Sequence, residues 1–286
     1  KYQNQLNCEK SSGDYIQNCK NAEMCFDGFN VQDSKYVVEC EDVKDSMDIN
    51  MHDKNIQFCY EMSCGGDSNY MSKFSFCTVL SPESEYLYGG FYATDCFGCD
   101  GIHSKVSNCI LNKKYSKEEY DLMKAKILEK MIIDKEYGEF FPISISPFAY
   151  NETVANDYFP MTKDQVLSKG WKWKDIDPKE FLKSESVLPD RIEDTKDDVL
   201  QSVFSCSECG KNYKIVSLEF SLSRKMKVSL SKKCSDCRQK DLMKFKNPKK
   251  LFDRNCSSCG EKIRSVYSPD RKEKVYCEKC YLKEVY

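Results

Sequence analysis

Residues 16–22 read IQNCKNA and residues 37–43 read VVECEDV. The form returns at 56–62 (IQFCYEM), 74–80 (FSFCTVL) and 93–99 (ATDCFGC): a cysteine with an apolar residue or a second thiol three positions to either side. The anchors Cys19, Cys40, Cys59, Cys77 and Cys96 are 21, 19, 18 and 19 residues apart, inside otherwise polar sequence. A period near 19 is too short for a pair of helices, and the intervening Gly, Asn, Asp and Ser residues disfavour helix. It predicts one coil of a β-solenoid per repeat, with small residues such as Cys and Ala filling a narrow interior. Polar turns such as Asp27–Gly28 and Gly65–Gly66–Asp67 would form its corners. Five such coils exceed the three needed to bury a continuous core. A compact cysteine-rich sandwich is the alternative that mimics the spacing.

Working outward, the 286 residues hold 18 Cys but only 2 His, so His-rich metal sites and most His-based triads are nearly closed off. Aromatics make up 13%, enough to build cores, which argues against wholesale disorder. No stretch approaches the roughly 20 apolar residues of a spanning helix. The opening Lys1–Cys8 is polar rather than the apolar core of a signal peptide, so reduced thiols and a cytoplasmic location are expected. The chain starts at Lys1 without Met, which fits a processed form or a fragment.

Ten cysteines precede Ile110 and eight follow Ser205. For the first ten, buried thiols acting as small hydrophobes are the favoured reading. Disulfides between coils are disfavoured, because parallel side chains are poorly placed for the required torsion. A catalytic or metal-binding thiol is the remaining option, with His52 and His103 as candidate bases.

In the middle, Ser116-Lys-Glu-Glu119 fits a capping box. A helix then runs through Tyr120, Met123, Ile127, Leu128, Met131 and Ile132, with Gly138 as its stop, placed to close the open end of the solenoid. Residues 140–160 read as an extended aromatic segment. A short helix is expected between Thr162 and Gly170, then a half-buried strand at Trp171 and Trp173, then an acidic linker or loosely docked arm over 175–198.

The last 81 residues carry the strongest signal. Cys206-Ser-Glu-Cys209 and Cys234-Ser-Asp-Cys237 make one CxxC…CxxC set, and Cys256-Ser-Ser-Cys259 and Cys277-Glu-Lys-Cys280 make another. Two residues between cysteines let one tight turn present both sulfurs to one ion, and four thiolates suit tetrahedral Zn²⁺. Gly210 and Gly260 follow the first knuckle of each set. Each set therefore reads as a zinc ribbon holding a structural Zn²⁺, closed to substrate. Sequential pairing is simplest, and a cross-braced pairing stays open.

Charge is segregated. Residues 204–286 hold 21 Lys+Arg against 10 Asp+Glu, while the rest of the chain is acidic. Residues 224–254 alone carry 12 basic and 3 acidic side chains. Such a surface suits a phosphate backbone, and Lys232, Lys233, Arg238, Lys244, Lys249 and Lys250 are the candidate contacts. A basic ribbon also suits an acidic protein, and the acidic body of this chain is itself a candidate partner.

Residues 111–120 (LNKKYSKEEY), 138–155 (GEFFPISISPFAYNETVA), 170–174 (GWKWK), 246–254 (KNPKKLFDR) and 276–286 (YCEKCYLKEVY) together resemble the uncharacterised cysteine-rich zinc-ribbon proteins of candidate phyla radiation bacteria, some of which carry a CaiB/BaiF label. The resemblance implies that the eight ribbon cysteines are metal ligands, that no residue is catalytic, and that this chain is the C-terminal part of a longer protein. The expected organisation is a cysteine-laddered solenoid over 1–112, a helix, aromatic segment and acidic linker over 113–200, and zinc ribbons over 201–248 and 249–286. The expected function is a non-enzymatic scaffold whose basic tail contacts RNA or a ribonucleoprotein. Protein–protein assembly is the main alternative, and a β-helix enzyme acting on glycans the lesser one.

Overall fold

A computed structural model describes residues 1–285 apart from Asp53, Ile176 and Lys183, and only the backbone of His52, Lys179 and Glu180. The described chain divides into two compact units, one formed by residues 1–145 with 248–286, the other by residues 146–247.

The first unit is built on a β-solenoid of about nine turns. Its strands pair in parallel with a constant offset: Gly13 lies beside Cys25, Val37 beside Ile49, Met47 beside Tyr60 and Tyr88 beside Asp100. One coil is therefore 12 or 13 residues, shorter than the expected 19. The reason lies in the side of the coil. From Asn18 through Asn21, Met24, Asp27, Asn30 and Asp33 to Met51, every third residue has a left-handed backbone. Each such residue turns a corner, so a side is three residues and four sides close a coil. Asn and Asp tolerate this conformation best, and they fill most of these early corners.

The residue after each corner points inward. Ile16, Cys19, Ala22, Cys25, Val31, Val37, Cys40 and Val43 are all at most 5% exposed. The apolar flanks three residues from each cysteine thus mark adjacent sides of one coil. The triplet 74–77–80 is the exception, because Phe74, Cys77 and Leu80 occupy corners. A 13-residue coil places an extra residue between Gly65 and Asn69, which shifts the inward phase to Asn69, Ser72, Ser75 and Thr78.

Interior residues stack in files, and cysteine and serine alternate within them. One file runs Ala22, Ser34, Ser46, Cys59, Ser72, Ser84, Cys96. The Ser46 amide donates to Ser34 Oγ, the Cys59 amide to Ser46 Oγ and the Cys96 amide to Ser84 Oγ, each at 3.1 Å. Ser84 Oγ donates onward to the Ala93 carbonyl at 3.0 Å, and Cys40 Sγ to the Ile49 carbonyl at 3.7 Å. A small side chain with one donor is what this narrow interior requires. All 18 cysteines are free thiols, so no disulfide staples the coils.

Helix α1 (Lys117–Ile133) begins at Ser116 with the expected capping box. Lys135, with φ of +62°, takes the left-handed stop expected of Gly138. The helix meets the last parallel strand (Val106–Ile110), and Tyr120, Ile127, Leu128 and Met131 pack on an outer aromatic file of Phe74, Tyr86 and Phe97. Met123 and Ile132 face solvent at 39% and 61% exposure.

In the second unit, α2 (Val154–Tyr158) and α3 (Lys163–Ser168) are short, and Thr162 caps α3 with Gln165 as predicted. Trp171 stacks on Tyr150 at 5.5 Å in irregular backbone, so the expected strand is absent there. The acidic stretch is no free linker: Leu188, Ile192 and Val199 are buried with Phe204, Ile215, Phe220 and Leu230 in this unit's core. Among the described residues, no helix is long and apolar enough to cross a membrane.

Candidate metal centres

Both CxxC…CxxC sets are assembled, and in sequential pairing. Cys206, Cys209, Cys234 and Cys237 place their sulfurs within 4.8 Å of one another, as do Cys256, Cys259, Cys277 and Cys280. The cross-braced option is thereby removed.

The two centres share one local design. In the first, a hairpin of Phe204–Ser205 and Asn212–Tyr213 holds the Cys206 knuckle, and Gly210 closes the turn at φ +77° with its amide on the Cys206 carbonyl at 2.9 Å. A chain with a Cβ resists that left-handed turn, which is why glycine follows the second cysteine. After α4 (Ser217–Met226), Cys234 occupies the N-cap of α5 (Ser235–Met243), and Cys237 lies in its first turn. In the second, the hairpin is Phe252–Asn255 with Lys262–Ser265, Gly260 repeats φ +77°, and Cys277 immediately precedes α6 (Glu278–Val285). Each site thus pairs a knuckle with a helix start, where unpaired amides favour thiolate.

The amides are visibly engaged. Cys206 Sγ accepts from the amides of Glu208 at 3.5 Å and Cys234 at 3.3 Å, and Cys256 Sγ accepts from the Cys277 amide at 3.3 Å. Burial raises the Cys206 thiol, but the amides of Cys209, Cys234 and Glu208 outweigh it and bring it down to about 6. For Cys256 the Cys259 amide is the largest influence, and the thiol again falls to about 6. Cys237 moves the other way, up to about 12, first through desolvation and then through neighbouring sulfurs. Four sulfurs this close repel as thiolates unless a cation sits among them.

The geometry fits such a cation. Four ligands at ~2.3 Å from a tetrahedral centre lie ~3.8 Å apart. The Cys209–Cys234 and Cys259–Cys277 sulfur pairs are each 3.8 Å apart. With four protein sulfurs per site, no position is left for water, so an ion bound here would be structural.

The six basic residues divide between the units. Lys232 pairs with Asp190 at 2.6 Å and Arg238 with Glu219 at 2.9 Å. Lys233 and Lys244 converge on Asp241 at 2.7 and 2.6 Å, and those two ammonium groups hold its carboxyl down at about 2. Lys249 is placed elsewhere: only 9% of its side chain is exposed, and it binds Glu39 and, at 3.7 Å, Asp27. Lys250 is exposed, with its ammonium 5.3 Å from the centre of the Phe252 ring. Sequence reasoning passed over Lys225, Lys227 and Lys240, all exposed around α4 and α5 and recoverable from the same charge run. His103 stacks on Phe91 at 5.3 Å, and the side chain of His52 lies outside the described residues.

No family model matches the chain. No curated protein matches it either.

Proposed function

We propose that this protein is a non-enzymatic scaffold that carries two structural Zn²⁺ ions and contacts nucleic acid, RNA or a ribonucleoprotein, through the basic surface of its first ribbon. The observation that carries the reading is the closed Cys206–Cys237 sulfur cluster set in a segment, residues 204–247, with 11 Lys+Arg and 4 Asp+Glu. A bound Zn²⁺ with four thiolates adds a charge of about −2 and leaves that segment positive. The carboxylate partners of Lys232, Arg238 and Lys244 are solvent-exposed to differing degrees, at 87%, 23% and 36%. Surface pairs of this kind are held by ~1 kcal/mol or less, so a phosphate can replace a carboxylate. Lys249 is left out of the phosphate set, because its buried pairing with Glu39 and Asp27 commits it.

The test is anisotropy of a labelled single-stranded RNA across a salt series. The full chain should bind with a log–log salt slope that scales as roughly −0.7 per phosphate contacted. The double variant Lys232→Glu with Lys244→Glu should bind more weakly and show a flatter slope. An unchanged slope removes these residues from the interface.

One observation favours protein assembly as a second reading. Leu218, Leu222 and Met226 recur every fourth residue along α4 and are 67%, 43% and 61% exposed. Failure to bind RNA at low salt, combined with self-association that Leu222→Lys abolishes, would favour that reading instead.

A further inference from the structure

Within the first unit, the second ribbon is packed on the first coils of the solenoid. Leu251 and Val266 enclose Phe26 in one buried cluster, with Met24, Val38 and Tyr267 around it. Phe26 is 4% exposed and Val266 0%. Tyr2 packs into the ribbon's own core of Cys256, Ile263, Val275 and Cys277. Gln3 Nε2 donates to the Arg264 carbonyl at 2.9 Å. Beside the apolar contact, Lys249 reaches the corner carboxylates Asp27 and Glu39, which belong to adjacent coils. Without this cover, Phe26 and Val38 would be an apolar strip on an otherwise polar, acidic solenoid flank.

The covering element cannot hold its own shape by burial. Its core has four buried residues, and two of them, Cys256 and Cys277, are members of the sulfur cluster. A piece of about 40 residues with so small a core depends on a metal or another staple to stay folded. The docking face is made by the same hairpin that holds the Cys256 knuckle, so whatever orders the knuckle orders the face.

We propose that the second four-cysteine site is a metal-dependent clasp: with an ion bound, the ribbon is rigid and stays docked over Phe26 and Val38; without it, the ribbon loosens and bares that flank of the first coils. The first four-cysteine site has no part in this, since it lies in the other unit. The inference rests on the metal-binding reading of the second cluster, and counting bound ions by native mass spectrometry tells the failure of that reading from failure of the clasp.

The experiment is hydroxyl-radical footprinting of the full chain, following Phe26 and Met24, with Ile49 as an interior reporter that the ribbon does not touch. Cys259→Ser with Cys280→Ser should lose one ion and raise Phe26 labelling about tenfold while Ile49 stays protected. Cys209→Ser with Cys237→Ser should also lose one ion but leave Phe26 protected. Protected Phe26 in the second-site variant, with that ion gone, overturns the clasp. If Ile49 is labelled as well, the solenoid itself has opened, and the doubly metallated variant Leu251→Ser with Lys249→Glu decides. In that variant, Phe26 labelling supports docking through this face, and Phe26 protection overturns it.

Discussion

At the scale of single residues, the solenoid interior is governed by size and by hydrogen bonding together. Cys59 shares a file with Ser46 and Ser72, and its amide already bonds a serine hydroxyl. Cys59→Ser should therefore cost under about 1.5 kcal/mol in urea unfolding, whereas Cys59→Leu should cost about 1–3 kcal/mol by overpacking. Equal costs for the two would mean that the interior is roomier than the file implies. Tyr120 presents the opposite case. It is 1% exposed, and its hydroxyl is buried with no partner among the described residues. Burial, then the nearby Asp95 carboxylate, raises its pKa well above the usual tyrosine value, consistent with a dry hydroxyl. Tyr120→Phe removes an unpaired polar atom and keeps the ring, so it should leave stability unchanged or raise it by about 1 kcal/mol. A loss of more than that in thermal unfolding would reveal a hydrogen bond at this hydroxyl. Neither feature was legible beforehand: the sequence marks Tyr120 as core, but only packing shows which polar atom goes unpaired.

At the scale of elements, the metal centres were the most legible part of the chain, because a CxxC knuckle is local chemistry that folds the same way wherever it occurs. Where the reading slipped, sulfur displaced ordinary helix signals. The basic helix expected over 238–246 runs instead from Ser235 to Met243, because Cys234 serves as its N-cap and fixes its start at the cluster. The acidic stretch before the ribbon looked like a linker because its apolar residues are sparse and lack periodicity. Leu188, Ile192 and Val199 nonetheless reach the ribbon's core from short 3₁₀ turns, which leave no repeat to detect. The two centres lie in different units, so they should lose metal independently. Native mass spectrometry of the full chain is expected to show two ions, one ion for Cys209→Ser with Cys237→Ser, and none after exhaustive chelation at low pH. Loss of both ions on mutating one site would contradict that independence.

At the scale of the whole molecule, the solenoid was readable as a solenoid but not in its period. The cysteines mark inward positions, and inward positions come every three residues, so spacings of 18, 19 and 21 sample different sides of successive coils rather than one side repeated. The better signal was the corner itself: Asn18, Asn21, Asp27, Asn30, Asp33, Asp42, Asp45 and Asp48 fall in step with the left-handed residues. The neighbours Asn21–Asp33 and Asn30–Asp42 bond across coils at 2.7 Å, twelve residues apart. That geometry makes a strong prediction about length. A second copy of Val31–Asp42 inserted before Val43 adds one closed coil between the part covered by the ribbon and the part covered by α1. All four files are extended by one residue, and each cover keeps its own contacts. This variant, longer by one coil, should fold, keep both ions and unfold cooperatively near the parent's midpoint, because a coil contributes its own stacking as well as its own entropy cost. The same insertion shortened by its last two residues cannot complete four sides of three. It must leave corner residues facing inward or break the parallel ladder, and it should aggregate or unfold many degrees lower. Similar stability for the two insertions would mean that coil closure does not set the register, and the three-residue side would then be the wrong unit for this fold.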